Sequence, residues 1–467
     1  MKKTIALKGG SYALILTAMV LALLIVVNIL ASALPANVTK LDISSSKLYS
    51  ITSNTKAVVN ALEQDVTIYW IVQSGQEDDV IENLLAKYDS LSSHIDVVKR
   101  NPDVYPTFAQ QYTDETVQNN SLVVVSGEKY RFVPYSDIYV SQGSMYSYSY
   151  TTSFDGEGAI TSAIDYVVST ELPKLYALEG HVENAIPDSF SEQLEKENVE
   201  VDSLSLLTVD EIPEDAAALL IYAPASDISQ EEVELLESYV QSGGKLLVLA
   251  GPVAEGELTN LYGILNRYGI TAAEGIVSEG DRSHYAFQAP YVLLPELADT
   301  DITSPLSEKN YYAIVPIAAG LQLSGTANGT VTALLTTTDT AYSKVAGYAQ
   351  TTYDKEEGDI DGPFALGVQI EDNGGGEIVF FTSSYLLDDM YNAYSSGANS
   401  DLVMNALSEL LGERQAMSIR SKSLNYNYLT ISDSAASLLK TVMIGLVPLM
   451  YLAMGVVTVW DKRRMQR

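Results

Sequence analysis

An α/β architecture is what this 467-residue sequence predicts, and three observations predict it. Short apolar runs such as Val66–Val72 (VTIYWIV), Ala218–Ala223 and Lys245–Ala250 read as strands. Stretches with apolar residues three and four apart stand between such runs and read as helices. In the clearest unit a strand, a helix and a strand follow one another with both strands continuously apolar, which requires a right-handed crossover and a parallel sheet of doubly wound type.

The two ends predict membrane spans. Tyr12–Leu34 and Thr441–Trp460 contain no charged side chain, and each is long enough, at about 1.5 Å per residue, to cross a hydrocarbon core of about 30 Å. Lys2, Lys3 and Lys8 precede the first, and Lys462, Arg463, Arg464 and Arg467 follow the second. The positive-inside rule then places both termini in the cytoplasm and the intervening region outside the cell membrane, as a two-pass protein. A cleaved signal peptide is the rival reading of the N-terminal end, because Ala31-Ser32-Ala33 offers small residues for a cleavage site. The expected division is 1–34 (tail and first span), 35–150 and 151–435 (two extracytoplasmic domains), and 436–467 (second span and basic tail).

Within 35–150 the order is β-α-β-α-β-β. After the Val66–Val72 strand, Asp79–Ser92 sets Val80, Leu84 and Tyr88 on one helical face. Ile95–Val98 is a strand, Tyr105–Tyr112 a short helix, and Ser121–Val125 with Tyr130–Val133 a hairpin across Ser126-Gly127-Glu128-Lys129. The order fits a thioredoxin-like fold, but Gln73-Ser74-Gly75-Gln76 stands where its thiol pair would be. A tyrosine- and serine-rich stretch, Ser141–Ser153, reads as an exposed strand or linker.

Beyond it, Ile160, Ile164, Val167 and Val168 mark a helix that opens the second domain. Lys174–Leu178 is a strand ending at Glu179-Gly180-His181, Ser189–Glu197 a helix and Glu200–Leu206 a strand. Ser229 and Glu232 have the Ser-x-x-Glu spacing of a capping box, with Val233, Leu236 and Val240 on the buried face and Gly243-Gly244 ending the helix. A helix is expected around Leu258–Tyr268, acidic surface loops at Asp354–Asp361 and Glu371–Glu377, a strand at Ile378–Thr382 and a helix at Ser400–Leu411.

The formal net charge of −33 repels nucleic acid and anionic headgroups. With no cysteine in the chain, disulfides, thiolate metal sites and cysteine nucleophiles are excluded. Gly243-Gly244-Lys245 lacks the remaining residues of a phosphate loop, since Tyr239 and Leu246 occupy the defining positions, and no other such loop appears. No Gly-x-Ser-x-Gly elbow is present. The loop Asp354–Gly362 is rich in oxygen ligands but fails the spacing of a calcium loop and reads as a solvated charge run. His94 and His284 have no motif around them. The candidate ligand site is Glu179, His181 and Glu183, because His181 ends a parallel strand where open α/β sheets place ligands; the default reading of His181 is a hydrogen-bonded structural histidine. No catalytic residue, metal or cofactor is expected.

Several segments together resemble the GldG-like family, gliding-motility auxiliary components of ABC-type transport systems. They are Lys40–Thr55 (KLDISSSKLYSITSNT), Ser153–Val167 (SFDGEGAITSAIDYV), Leu175–Glu183 (LYALEGHVE), Ile228–Gly251 and Gly362–Val368. The resemblance implies a thioredoxin-like domain followed by a glutamine-amidotransferase-like α/β domain. Relatives commonly carry Gly-His-Gly-Glu where this chain has Gly180-His181-Val182-Glu183. It implies an ABC-2-type permease and a separate cytoplasmic ATPase as partners. The expected function is a non-catalytic extracytoplasmic auxiliary subunit that meets a permease through its spans and an envelope polymer or small ligand through its outer domains. The alternatives are a free-standing surface binding protein or adhesin and a surface hydrolase using His181.

Overall fold

The computed structural model describes residues 18–23, 25–26, 50–144, 149–308, 310–325, 328–412 and 422–423, with a few isolated positions near the C-terminus. Strands β1 (Val66–Ile71), β2 (Ile95–Arg100), β3 (Ser121–Ser126) and β4 (Lys129–Val133) form a sheet in the order β2-β1-β3-β4. β1 and β2 run parallel because helix α2 (Asp79–Leu91) crosses between them, while the two-residue turn after β3 makes β3 and β4 antiparallel. Asp78 starts α2 by accepting from the Val80 and Ile81 amides at 2.9 and 3.0 Å, and the helix buries Ile81, Leu84, Leu85 and Tyr88.

Helices α1 (Ser53–Asn60) and α3 (Gly156–Val168) also pack in this unit. Ile160, Ala163, Ile164 and Val167 of α3 join Ile68, Trp70, Leu122 and Val124 in one core. The helix expected to open the second domain therefore packs on the first sheet. Its apolar stripe specifies that a partner exists and not which partner. A buried polar knot ties α1 to it, with Glu157 Oε1 accepting from the Thr52 amide (2.6 Å) and the Thr55 hydroxyl (2.8 Å). Thr55 and Tyr88 both reach the Thr161 hydroxyl, at 3.0 and 2.6 Å. The Ile51–Thr55 end of one resemblance segment and Glu157 and Thr161 of the next thus meet as a structural fastening.

Among the described residues the larger sheet has ten strands. Its parallel part consists of β5 (Lys174–Leu178), β6 (Glu200–Leu204), β7 (Ala216–Tyr222), β8 (Lys245–Leu249) and, late in the chain, β14 (Glu377–Phe381). Antiparallel strands β9 (Ile270–Ala273), β10 (Gly320–Leu323), β11 (Gly329–Thr336) and β13 (Ala365–Asp372) extend it, and a small strand β12 (Tyr342–Lys344) belongs to a separate three-stranded sheet. The main path is β9-β10-β13-β14-β8-β7-β5-β6. Alternate residues face opposite layers: Leu247, Leu249, Val379 and Phe381 lie on one side, Leu246, Val248, Ile378 and Phe380 on the other. Helices α4 (Asp188–Lys196) and α6 (Ala398–Leu410) cover the first face, and α5 (Gln230–Gln241) with the helical segment 259–268 covers the second. Both faces are buried, which is why these strands are continuously apolar.

Several expectations are corrected. Among the described residues no helix is long and apolar enough to cross a membrane. A span needs about 20 consecutive helical residues, whereas the described helical residues of Tyr12–Leu34 are 18–23 and 25–26. The rest of that segment and most of Thr441–Trp460 lie outside the described residues. The two-pass cell-membrane location, with cytoplasmic termini and an extracytoplasmic middle, therefore does not stand. Tyr105–Tyr112 contains only a 3-10 turn, Ala109–Gln111. Glu371–Glu377 is no loose loop: it is the tight turn between β13 and β14, where Asp372 is buried and accepts from the Tyr268 hydroxyl at 2.8 Å. The acidic Asp354–Asp361 loop is not simply solvated. It wraps the ammonium of Lys344, a fully buried side chain on β12, which donates to the Asp354 carbonyl (2.8 Å) and Glu356 (2.7 Å) and lies 3.0 Å from Asp359. Burial pushes the Lys344 pKa down, but the two carboxylates outweigh it and the net shift is upward.

Candidate functional site

In space the parallel strands follow the order β6-β5-β7-β8-β14, that is 2-1-3-4-5 by their appearance in the chain. The order reverses between β5 and β7, and α4 and α5 lie on opposite faces there. A crevice is expected beyond the carboxyl ends of the strands flanking such a reversal. His181 stands there, at the end of β5.

The chain leaves β5 through a tight turn. Gly180 has φ 129° and Val182 φ 57°, so the backbone enters the left-handed region at a valine, which needs outside support. Glu183 gives part of it: its Oε2 accepts from the amides of Gly180 (3.0 Å) and His181 (2.8 Å). The His181 carbonyl accepts from the amides of Ala225 and Ser226, both at 3.0 Å, and the Asn184 amide donates to the Ala223 carbonyl at 3.3 Å. The loop after β5 is thereby stitched to the loop after β7 across the crevice.

The His181 ring is buried between two carboxylates. Nε2 lies 3.0 Å from Glu232 Oε2, and Nδ1 lies 3.4 Å from Glu183 Oε1. A singly protonated ring donates to only one of them, a doubly protonated ring to both. Glu232 is the third residue of α5 and closes its capping box: the Ser229 hydroxyl accepts from the Glu232 amide (3.2 Å) while Glu232 Oε2 accepts from the Ser229 amide (2.8 Å). The remaining oxygen, Oε1, is buried and accepts no hydrogen bond among the described residues.

Of the three residues singled out by sequence, His181 and Glu183 come together and Glu179 does not; its side chain is exposed. Glu232 was legible only as a helix cap. The capping-box spacing shows that its carboxylate turns back toward the helix start, but its pairing with a histidine fifty-one positions earlier depends on the crossover. Both ring nitrogens of His181 face carboxylates, which leaves neither as a free base. Among the described residues no group of three or more His, Asp or Glu side chains is placed to hold a metal ion. Lys245, beside the glycine pair that resembled a phosphate loop, instead meets Glu377 at 3.1 Å, and Gly243 at φ 99° ends α5. His94 and His284 pair with Asp65 and Asp281.

The family described as "ABC-type uncharacterized transport system" matches residues 167–406, which is more than half of the chain and includes every strand of the larger sheet. The chain belongs to this family. As a member it is an auxiliary component of an ABC-type transport system. A second family, described as a domain of unknown function, matches residues 45–140 in the first unit. No curated protein matches the chain. Among solved structures, the mmIFT52 N-terminal domain is 20% identical, with 51% of this chain and 97% of that chain covered and a TM-score of 0.39. PurLQS from Thermotoga maritima is 12% identical over 52% of this chain and 100% of that one, with a TM-score of 0.29. A putative ThuA-like protein from Parabacteroides merdae is 13% identical over 52% and 91%, also with a TM-score of 0.29.

Proposed function

We propose that this auxiliary component is non-catalytic and works with an ABC-2-type permease and a separate cytoplasmic ATPase. The family match across the whole larger sheet carries the reading. Two features support it. The chain has no cysteine and no phosphate loop, so any ATP turnover in the system falls to another subunit. The histidine at the strand reversal is tied to two carboxylates rather than presented to a substrate. On this reading the first unit is a thioredoxin-like fold without its thiol pair, and the second an amidotransferase-like fold without its nucleophile; the 2-1-3-4-5 strand order and the absence of cysteine support that description.

The test is co-purification. The affinity-tagged full chain, recovered from cells after mild detergent extraction, is expected to bring an ABC-2-type permease and an ATPase with it, identified by mass spectrometry. Recovery of the chain alone across a range of mild detergents would overturn the proposal.

A further inference from the structure

The carboxyl ends of β7, β8 and β14 lead to Tyr222, Gly251-Pro252 and Ser383–Tyr385, and over this edge lies a cluster of aromatic side chains. The Phe287 ring meets Tyr394 at 4.7 Å and Tyr391 at 6.4 Å, and the Tyr291 ring lies 5.3 Å from Tyr353. The Tyr348 hydroxyl donates to the Pro252 carbonyl at 3.0 Å. Burial, with the neighbouring Tyr385 adding to it, pushes the Tyr348 pKa up to about 12. These rings are not core residues: Phe287 is 52% exposed, Tyr348 44%, and Tyr353 and Tyr394 46% each. The chain spends strained backbone to hold them there. Phe287 and Gln288 have φ 55° and 56°, and Ile317, whose amide donates to the Tyr291 carbonyl at 2.9 Å, has φ 50°. Such conformations persist only where the surroundings fix them, and they gather at binding sites. Between Tyr348 and Tyr353 in the chain, Gln350 buries an Oε1 that accepts no hydrogen bond among the described residues.

We propose that this edge is a binding platform for a neutral glycan chain. The half-exposed rings offer aromatic surface of the kind that complements the C–H face of a pyranose. Tyrosine hydroxyls and the Asp388 and Asp389 carboxylates around the rings supply partners for sugar hydroxyls. Asp388 keeps acceptor capacity beyond the Met390 and Tyr391 amides it caps, and Asp389 beyond the Ser189 hydroxyl. Charge selects among glycans: a chain of net −33 repels phosphate- and uronate-bearing polymers and leaves neutral ones. The exposed large side chains Phe287, Tyr348, Tyr353 and Tyr394 are all aromatic, which suits a flat polyol. The His181 ring is held by Glu183 and Glu232 and not by the rings named here, and the site does not depend on the partnership with a permease.

Affinity electrophoresis tests it. The purified full chain is run through native gels containing dextran, hydroxyethylcellulose or mannan. At least one of these polymers should retard it. The double variant Phe287→Ser/Tyr394→Ser should bind that polymer at least about tenfold more weakly, the size expected for losing an aromatic contact. His181→Gln should migrate as the parent does. Circular dichroism melts confirm that the double variant is folded; should it unfold, Tyr348→Phe and Tyr353→Ser replace it. Parent mobility that no polymer changes, as for a platform that takes a polypeptide instead, would overturn the proposal, and so would equal retardation of parent and folded variants.

Discussion

His181 and Lys344 are both buried basic side chains with carboxylates closed around them. Removing a buried hydrogen-bonding partner costs the desolvation of the groups left behind. His181→Leu leaves Glu232 Oε2 with the Ser229 amide alone and takes the ring away from Glu183 Oε1, and should lower stability in urea by about 1–3 kcal/mol; His181→Gln, which keeps a donor, should recover part of the loss. An unchanged unfolding midpoint for His181→Leu would show that the ring does not hold the turn. Lys344→Met leaves Glu356 and Asp359 facing each other without a cation, and should lower the thermal midpoint by several degrees in a melt followed by circular dichroism. The acidic run around Asp354 was visible in the sequence, but its cation was not. A lysine ten positions away enters the loop only because β12 points it inward.

At the scale of elements, α3 shows how a helix joins two units. Asp155, just before its first turn, is nearly buried and lies 3.3 Å from Lys196 of α4. Burial pushes the Asp155 carboxyl up to about 6 from a reference of 3.8, with the lysine opposing. A carboxyl raised on folding stabilises the native state most when protonated. Its contribution is therefore complete below about pH 3.8 and is lost as pH rises through about 6. Thermal stability should fall across that window by an amount on the order of 3 kcal/mol relative to Asp155→Asn, which cannot titrate. Parallel pH profiles for the two proteins would refute the assignment. What was legible here was local: the spacing of Ile160, Ile164 and Val167 gives the helix, and Ser229 with Glu232 gives the cap, because both depend on residues within one or two turns. The sheet that α3 covers was not legible, since one apolar stripe suits any apolar face.

Among the described residues one core surrounds the first sheet and two more lie on the faces of the second. Asn198 lies at the junction: its Nδ2 donates to the Ser162 carbonyl (2.9 Å) and Asp165 (3.0 Å), and its Oδ1 accepts from Arg131 at 2.7 Å. With separate cores joined by polar contacts, Asn198→Ala should split thermal unfolding into two resolved calorimetric transitions; a single transition at the parental midpoint would contradict this. Net charge acts over the whole surface. At −33 the folded chain repels itself, so raising sodium chloride from about 10 mM to 150 mM, which shortens the screening length from about 30 Å to about 8 Å, should raise the thermal midpoint.

By itself the sequence determined what depends on neighbours in the chain: the apolar strands of a sheet buried on both faces, the capped helix at Gln230, and the absence of cysteine and phosphate-loop chemistry. It also carried the family, through segments whose roles it did not disclose. Only the tertiary structure decided which of those segments meet. It joined Thr52 and Thr55 to Glu157, set Glu232 against His181, filled the acidic loop with Lys344, and raised a tyrosine surface at one edge of the sheet. The physical reason is the same in each case. Periodicity and capping are settled over one or two turns of chain, whereas the partners of a buried polar group are settled by crossovers and strand order, which bring together residues tens to more than a hundred positions apart.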